Sequence, residues 1–147
     1  MSAGARTAAG FTLVELMIAL VVLAVLAAIS VPGYRAYAQR AHRVEAMRAL
    51  AQVQTAQEKY FIDQHRYASA LEAAPPAGLG LQALSETGLY AIALEVAEDG
   101  SAYQAVATPV ATASQHDDRE CERFSIDDRG RRQALSGETD TTRKCWR

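Results

Sequence analysis

The sequence predicts an α+β protein: one long N-terminal helix, a transmembrane half followed by an amphipathic half, packed on a small antiparallel β-sheet. Three patterns predict it. An apolar run fills residues 11–31, a stripe at spacings of three and four continues to Phe61, and alternating stretches broken by turn residues follow from Leu89 onward. At 147 residues with a net charge of −2, the chain has room for one small domain beside an anchor. It has no overall basic field that would gather nucleic acid or anionic lipid, so any such binding needs a local patch.

The run FTLVELMIALVVLAVLAAISV, Phe11 to Val31, is apolar apart from Thr12, Glu15 and Ser30. As a helix it is about 31 Å long, close to the ~30 Å hydrocarbon core of a bilayer, so it spans once. Three readings compete: a cleaved secretory signal, a plain anchor, and an anchor that later leaves the lipid. Val25 and Ala27 fit the −3 and −1 positions of a secretory cleavage site, but Glu15 inside the apolar stretch argues against a conventional signal. A carboxylate in a membrane span costs ~2.5–3.5 kcal/mol. Glu15 therefore either snorkels to the interface or awaits a positive charge on a neighbouring subunit. Pro32 and Gly33 interrupt helix propensity just past the span, which predicts a helix break or kink.

The segment Gly10-Phe11-Thr12-Leu13-Val14-Glu15-Leu16, followed at once by the span, resembles the class III signal of type IV pilins and type II secretion pseudopilins. The resemblance implies a leader at 1–10, cleavage after Gly10 by a prepilin peptidase and N-methylation of Phe11. It also implies that Glu15, at the fifth mature position, pairs with the Phe11 amine of an adjacent subunit. A subunit docked in the correct axial register would neutralise an otherwise costly buried carboxylate, so the pair acts as a register check. Arg35, Arg40, Arg43 and Arg48 follow the span, whereas only Arg6 and the chain amine precede it, and the positive-inside rule would place the C-terminal side in the cytoplasm. The resemblance implies the opposite orientation, which is adopted because the peptidase site faces the cytoplasm. It places the chain as a single-pass inner-membrane protein with a periplasmic head, later part of an extracellular pilus of a Gram-negative bacterium. Assembled pilins are locally unwound near the family's proline, which implies unwinding here over roughly residues 24–32.

Residues 11–33 thus form the polymerisation helix, 34–61 an amphipathic helix and 62–147 a globular head. The stripe of the amphipathic helix comprises Tyr34, Tyr37, Ala41, Val44, Met47, Leu50, Val53, Ala56 and Tyr60, with Arg40, Arg43, Glu45, Arg48, Gln52, Gln57, Glu58 and Lys59 on the exposed side. His42 reads as a surface histidine. Tyr60 to Tyr67 closes the helix and resembles the pilin pattern of paired aromatics, polar turn and tyrosine, where the family often has glycine near His65. Residues 68–88, with Pro75, Pro76, Gly78 and Gly80, read as an irregular connection, the αβ-loop of pilins. Leu89 to Ala97 and Ala102 to Pro109 form a hairpin around Glu98-Asp99-Gly100-Ser101. A third strand runs from Cys121 to Ile126 and turns at Asp127-Asp128-Arg129-Gly130 into a return strand near Arg131 to Leu135.

In an exported head the two cysteines, Cys121 and Cys145, read as a disulfide; in the cytoplasm they would read as free thiols. The run from Cys121 to Gly130 and the ending Cys145-Trp146-Arg147 resemble the C-terminal disulfide region of PilE-type minor pilins, and the whole implies a type IV pilin fold. Major secretion pseudopilins typically hold calcium in place of this disulfide, which favours a pilus over secretion.

The sequence has no Walker loop, dinucleotide fingerprint, zinc spacing, HExxH motif or nucleophile elbow, so no enzyme, catalytic residue, cofactor or metal is predicted. His116-Asp117-Asp118 reads as a solvated loop and receives no role. The resemblance implies a minor pilin that primes or joins pilus assembly, supporting twitching motility, adhesion or DNA uptake. Its partners would be other major and minor pilins, the prepilin peptidase and the inner-membrane assembly platform. The alternatives are a major pilin, a type II secretion pseudopilin, or a DNA-binding competence pilin. The last is motivated by Arg129, Arg131, Arg132, Arg143, Lys144 and Arg147; against it, Asp127, Asp128, Glu138 and Asp140 make the same residues a balanced solvated rim.

Overall fold

The computed structural model describes residues 11–146, so the leader with Arg6 and Gly10, and Arg147, lie outside the described residues. The chain divides into two compact units, one up to Tyr37 and one from Ala38 onward. Helix α1 (Leu13–Gln64) belongs to both. It opens with a cap: the Thr12 hydroxyl accepts a hydrogen bond from the Glu15 amide at 3.2 Å, in the spacing of a capping box.

In the first unit every residue from 11 to 31 is exposed. Helical structure continues without interruption through Pro32 and Gly33, so the predicted break is not present. A proline withdraws one amide donor, and one missing rung does not end a helix whose neighbouring rungs are intact.

The second unit packs the remainder of α1 on five antiparallel strands: β1 (Tyr90–Val96), β2 (Tyr103–Pro109), β3 (Arg123–Asp127), β4 (Arg132–Ser136) and β5 (Thr139–Asp140), in that spatial order. The first four coincide with the predicted strands within a few residues; β5 and a one-turn helix α2 (Thr142–Cys145) are additional. Register places Ile92 opposite Ala107, Ala105 opposite Ile126, and Phe124 opposite Ala134. The period of two then sends Tyr90, Ile92, Tyr103, Ala105, Ala107, Phe124, Ile126 and Ala134 to one face, where they form a single core with Ala46, Leu50 and Val53 of α1. Full burial of side chains as large as Leu50, Ile126 and Phe124 contributes about 1.5–3 kcal/mol each.

The buried face of α1 is rotated from the predicted stripe. Leu50 and Val53 are buried as expected, but Arg43, Ala46 and Gln57 complete the face, while Tyr34, Tyr37 and Val44 stay exposed. Polar residues occupy buried positions because each finds a partner. Gln57 donates from Nε2 to the Ala68 carbonyl and accepts from the Ala68 amide, both at 2.8 Å, which pins the chain where it leaves the helix. Glu45, predicted exposed, is half-buried and accepts from the Thr87 amide at 2.8 Å and its hydroxyl at 2.6 Å. Burial pushes this carboxyl up, but the hydrogen bonds from Ser85 and Thr87 prevail and hold it below its ordinary value.

Two turns carry backbone constraints. Gly100, in the β1–β2 turn, has φ +69, and a Cβ there would lie 3.0 Å from the Arg66 Cβ. His65 closes α1 with φ 57, its amide bonded to the Phe61 carbonyl at 2.8 Å. This is the left-handed closure for which glycine is the usual residue. Replacing exposed His65 with glycine is expected to stabilise the head by about 1 kcal/mol, measured by denaturant unfolding. A loss of stability would show that the imidazole contributes more than the strain it imposes.

Candidate functional site

Two regions carry functional candidates. At the start of α1, Phe11 is 82 % exposed and Glu15 lies in the first helical turn, where the positive end of the helix dipole favours an acid. Thr12, which caps Glu15, was not singled out by the sequence reading, although the Thr-x-x-Glu spacing is a recognisable signal.

The second region is the C-terminal disulfide region. Cys121 and Cys145 form a disulfide with Cα atoms 5.9 Å apart, and both are buried. The long β2–β3 connection leading to it contains a single 3₁₀ turn (Ser114–Asp117) that carries buried Gln115 and Asp118 to α1. Arg43, only 5 % exposed, donates from Nε to Asp118 Oδ2 at 2.7 Å and from Nη2 to Asp118 Oδ1 at 2.8 Å, a bidentate pair. Asp118 is 2 % exposed. Gln115 Nε2 donates to Asp118 Oδ2 at 2.9 Å and to the Gln39 carbonyl at 3.2 Å. Arg43 Nη2 also donates to Glu120 Oε2 at 3.0 Å, and Glu120 Oε1 accepts from Lys144 Nζ at 2.6 Å.

The hydrogen bond to Asp118 raises the Arg43 pKa further against the opposing effect of burial. Lys144 first, and Arg43 second, hold the Glu120 carboxyl below the usual range. Arg43 is therefore not the solvated residue the stripe predicted, and Asp118 is not part of a solvated loop. No local signal marks either, since they lie 75 positions apart.

The cationic residues that motivated a nucleic-acid reading separate into two groups. Arg131 Nε donates to Asp127 Oδ2 at 2.6 Å, and Arg129 lies 4.0 Å from Asp128. Burial pushes the Asp127 carboxyl up, but hydrogen bonds from Arg131 and the Arg129 amide hold it below its ordinary value. The β3–β4 turn is thus internally neutralised. Arg132 instead stacks over the Trp146 ring at 5.4 Å, and Trp146 is itself fixed by Nε1 donating to the Gln133 carbonyl at 2.8 Å and by edge contact with Phe124. Arg143 is exposed on α2. No cluster of three or more metal-ligating side chains occurs among the described residues.

Removing one partner of the buried pair is expected to cost much of the head's stability. Asp118→Ala leaves Arg43 buried with only half-exposed Glu120, and a loss of about 3–5 kcal/mol is expected in urea unfolding. A loss below about 1 kcal/mol would place the pair in a solvated setting. Cys121→Ser opens a loop of sequence separation 24, and the chain-entropy model predicts a loss of about 3–4 kcal/mol with faster proteolysis of the head. Unchanged denaturant stability would show that the bridge contributes nothing.

Comparison with known families matches residues 5–125. Residues 5–31 match the prokaryotic N-terminal methylation motif, and residues 32–125 match the family described as type IV minor pilin ComP, DNA uptake sequence receptor. No curated protein matches the chain. Among solved structures, a type IV pilin from Shewanella oneidensis is similar at 18% sequence identity and a TM-score of 0.46, over 69% of this chain and 94% of that one. The ComP match alone spans well over half of the sequence, and it begins at the residue after the methylation motif ends. The chain belongs to the family of type IV minor pilins described as ComP, DNA uptake sequence receptor.

Proposed function

We propose that this minor pilin is cut after Gly10 and N-methylated on Phe11, enters the inner membrane through residues 11–33, and joins a type IV pilus whose exposed head binds DNA for uptake. The observation that carries this reading is the uninterrupted succession of two family matches, a methylation motif over 5–31 and a ComP match over 32–125. Family membership raises DNA capture from one alternative among several to part of the main function. It favours neither a major pilin nor a secretion pseudopilin.

Physical features of the chain support each step. Residues 11–31 expose an apolar surface along the helix, which suits lipid before assembly and other helices afterwards. Glu15 lies one turn from Phe11 and its amide is capped by the Thr12 hydroxyl, which supports its pairing with the methylated amine of a neighbouring subunit. The prepilin peptidase and the inner-membrane assembly platform are the partners this route requires. A disulfide suits a head carried into the periplasm and then outside the cell.

Glu15→Ala is expected to insert in the membrane as well as the wild type yet to fall at least tenfold in sheared filaments, as counted by quantitative mass spectrometry. The wild-type filaments should yield a trace peptide beginning at methylated Phe11. Normal incorporation of Glu15→Ala would remove the charge-pair step, and an abundant peptide would make the chain the main shaft subunit. DNA uptake should fall to background in cells lacking this chain while filaments are still made; unchanged uptake would overturn the DNA half of the proposal.

A further inference from the structure

We infer that Tyr34, Arg35 and Tyr37 form an interfacial belt that seats α1 among phospholipid headgroups on the periplasmic side, and so holds Glu15 at the opposite boundary of the bilayer until the subunit is extracted. The inference rests on the membrane route and orientation proposed above and gives them a depth.

The belt begins three residues after Val31, where the apolar run ends, and lies wholly in the first compact unit. Tyr34 is 73 % and Tyr37 67 % exposed, and a spacing of three puts them on one face of the helix. Neither ring takes part in an aromatic contact among the described residues. Arg35 is exposed and belongs to none of the ion pairs among the described residues.

The chemistry of these side chains selects their surroundings. A tyrosine ring is apolar and its hydroxyl is polar, so the ring gains from acyl chains while the hydroxyl keeps to water, which only the boundary layer supplies together. The planar donors of Arg35 fit a headgroup phosphate. Arg35 stands on the side where the positive-inside rule does not expect a cation, and a phosphate there is its counter-ion. From Phe11 to Val31, by contrast, Thr12, Glu15 and Ser30 are the only residues with polar side chains.

Spacing along the helix agrees with a belt. Helix α1 is continuous from Leu13 past Tyr37, so Glu15 lies about 28 Å from Tyr34 and about 33 Å from Tyr37 along the axis. These distances bracket the ~30 Å hydrocarbon core. With the tyrosines at one boundary, Glu15 falls at the other and stays hydrated. A shift toward the periplasm draws the carboxylate into hydrocarbon, and a shift toward the cytoplasm draws in Arg35 and the tyrosine hydroxyls. The two polar ends therefore act as stops. Extraction overrides the stop at Glu15, and the amine of a neighbouring subunit replaces the water that this carboxylate loses.

Depth is measured with the full chain in phospholipid vesicles whose lipids carry bromine at defined acyl positions, by quenching of tryptophan fluorescence. Trp146 is the only tryptophan in the sequence and lies in the second unit, so the wild type supplies the baseline. Tyr34→Trp and Leu16→Trp, each introduced singly, are expected to be quenched about twofold more by bromine beside the headgroup than by bromine at the chain ends. Tyr34→Ser, Arg35→Ala and Tyr37→Ser combined with Leu16→Trp remove the belt. The helix then sinks toward the cytoplasm, and headgroup-side quenching of the Leu16→Trp reporter is expected to fall by about twofold.

If Leu16→Trp is quenched but Tyr34→Trp is not, or is quenched best at the chain ends, the membrane route stands and the belt is overturned. Unchanged depth of the Leu16→Trp reporter after the triple substitution overturns it as well. So does a triple variant that keeps its depth yet drops out of sheared filaments, because the tyrosine face is then a subunit contact. No quenching of either reporter beyond the wild-type baseline would remove the membrane route itself.

Discussion

The bidentate pair between Arg43 and Asp118 fixes the layout of the C-terminal third of this head. The connection between β2 and β3 is long and mostly irregular, and its conformational freedom must be opposed by specific contacts. Asp118 anchors it to α1, Glu120 two residues later ties Arg43 to Lys144, and Cys121 is bonded covalently to Cys145. Three successive constraints thus fall within four residues. A buried ion pair adds little net stability over apolar replacements, yet it heavily penalises every arrangement in which one partner is buried alone. Its main effect is to exclude alternative positions of the loop, and with them alternative positions of Trp146 and Arg132.

Much of the head is legible in the sequence because its strands alternate and its turns carry glycine at the demanding positions. The β1–β2 and β3–β4 hairpins follow from Tyr90, Ile92, Tyr103, Phe124 and Ile126 taken with Gly100 and Gly130, whose left-handed φ angles close the two turns. The disulfide is legible once export is inferred. The face of α1 is less so. Arg43 and Gln57 look solvent-directed to any pattern based on polarity, and their burial depends on Asp118 and Ala68, residues absent from the local window. Removing them from the stripe shifts it toward Tyr34, Tyr37 and Val44, side chains that remain exposed. Short elements such as β5 and α2 escape for a different reason, since two- and four-residue segments hold too little periodicity to read.

The exposed apolar residues are the counterpart of that error. Leaving Tyr34, Tyr37 and Val44 uncovered, together with the whole run from Phe11 to Val31, would be a liability for a soluble monomer. For a pilin, these surfaces suit lipid before polymerisation and neighbouring subunits afterwards. Hydrophobic residues that do not fit the head's own core therefore identify a surface whose partner is supplied in another state of the same protein.

The distribution of charge follows the same logic. A chain of net charge −2 cannot attract DNA through its overall field, and at physiological salt only charges within about 8–10 Å act strongly together. Sequence proximity gives a misleading account of which cations qualify, because Arg129 and Arg131 belong to a tight turn that folds them back on Asp127 and Asp128. Arg48 and Arg132 are 84 positions apart in the numbering but line one hollow. Folding thus neutralises Arg129 and Arg131 and sets Arg132 with Arg48 along one hollow. Because that second pair is built on α1 and on a C-terminal segment held by the disulfide and by Arg43, its geometry depends on the same buried contacts that order the head.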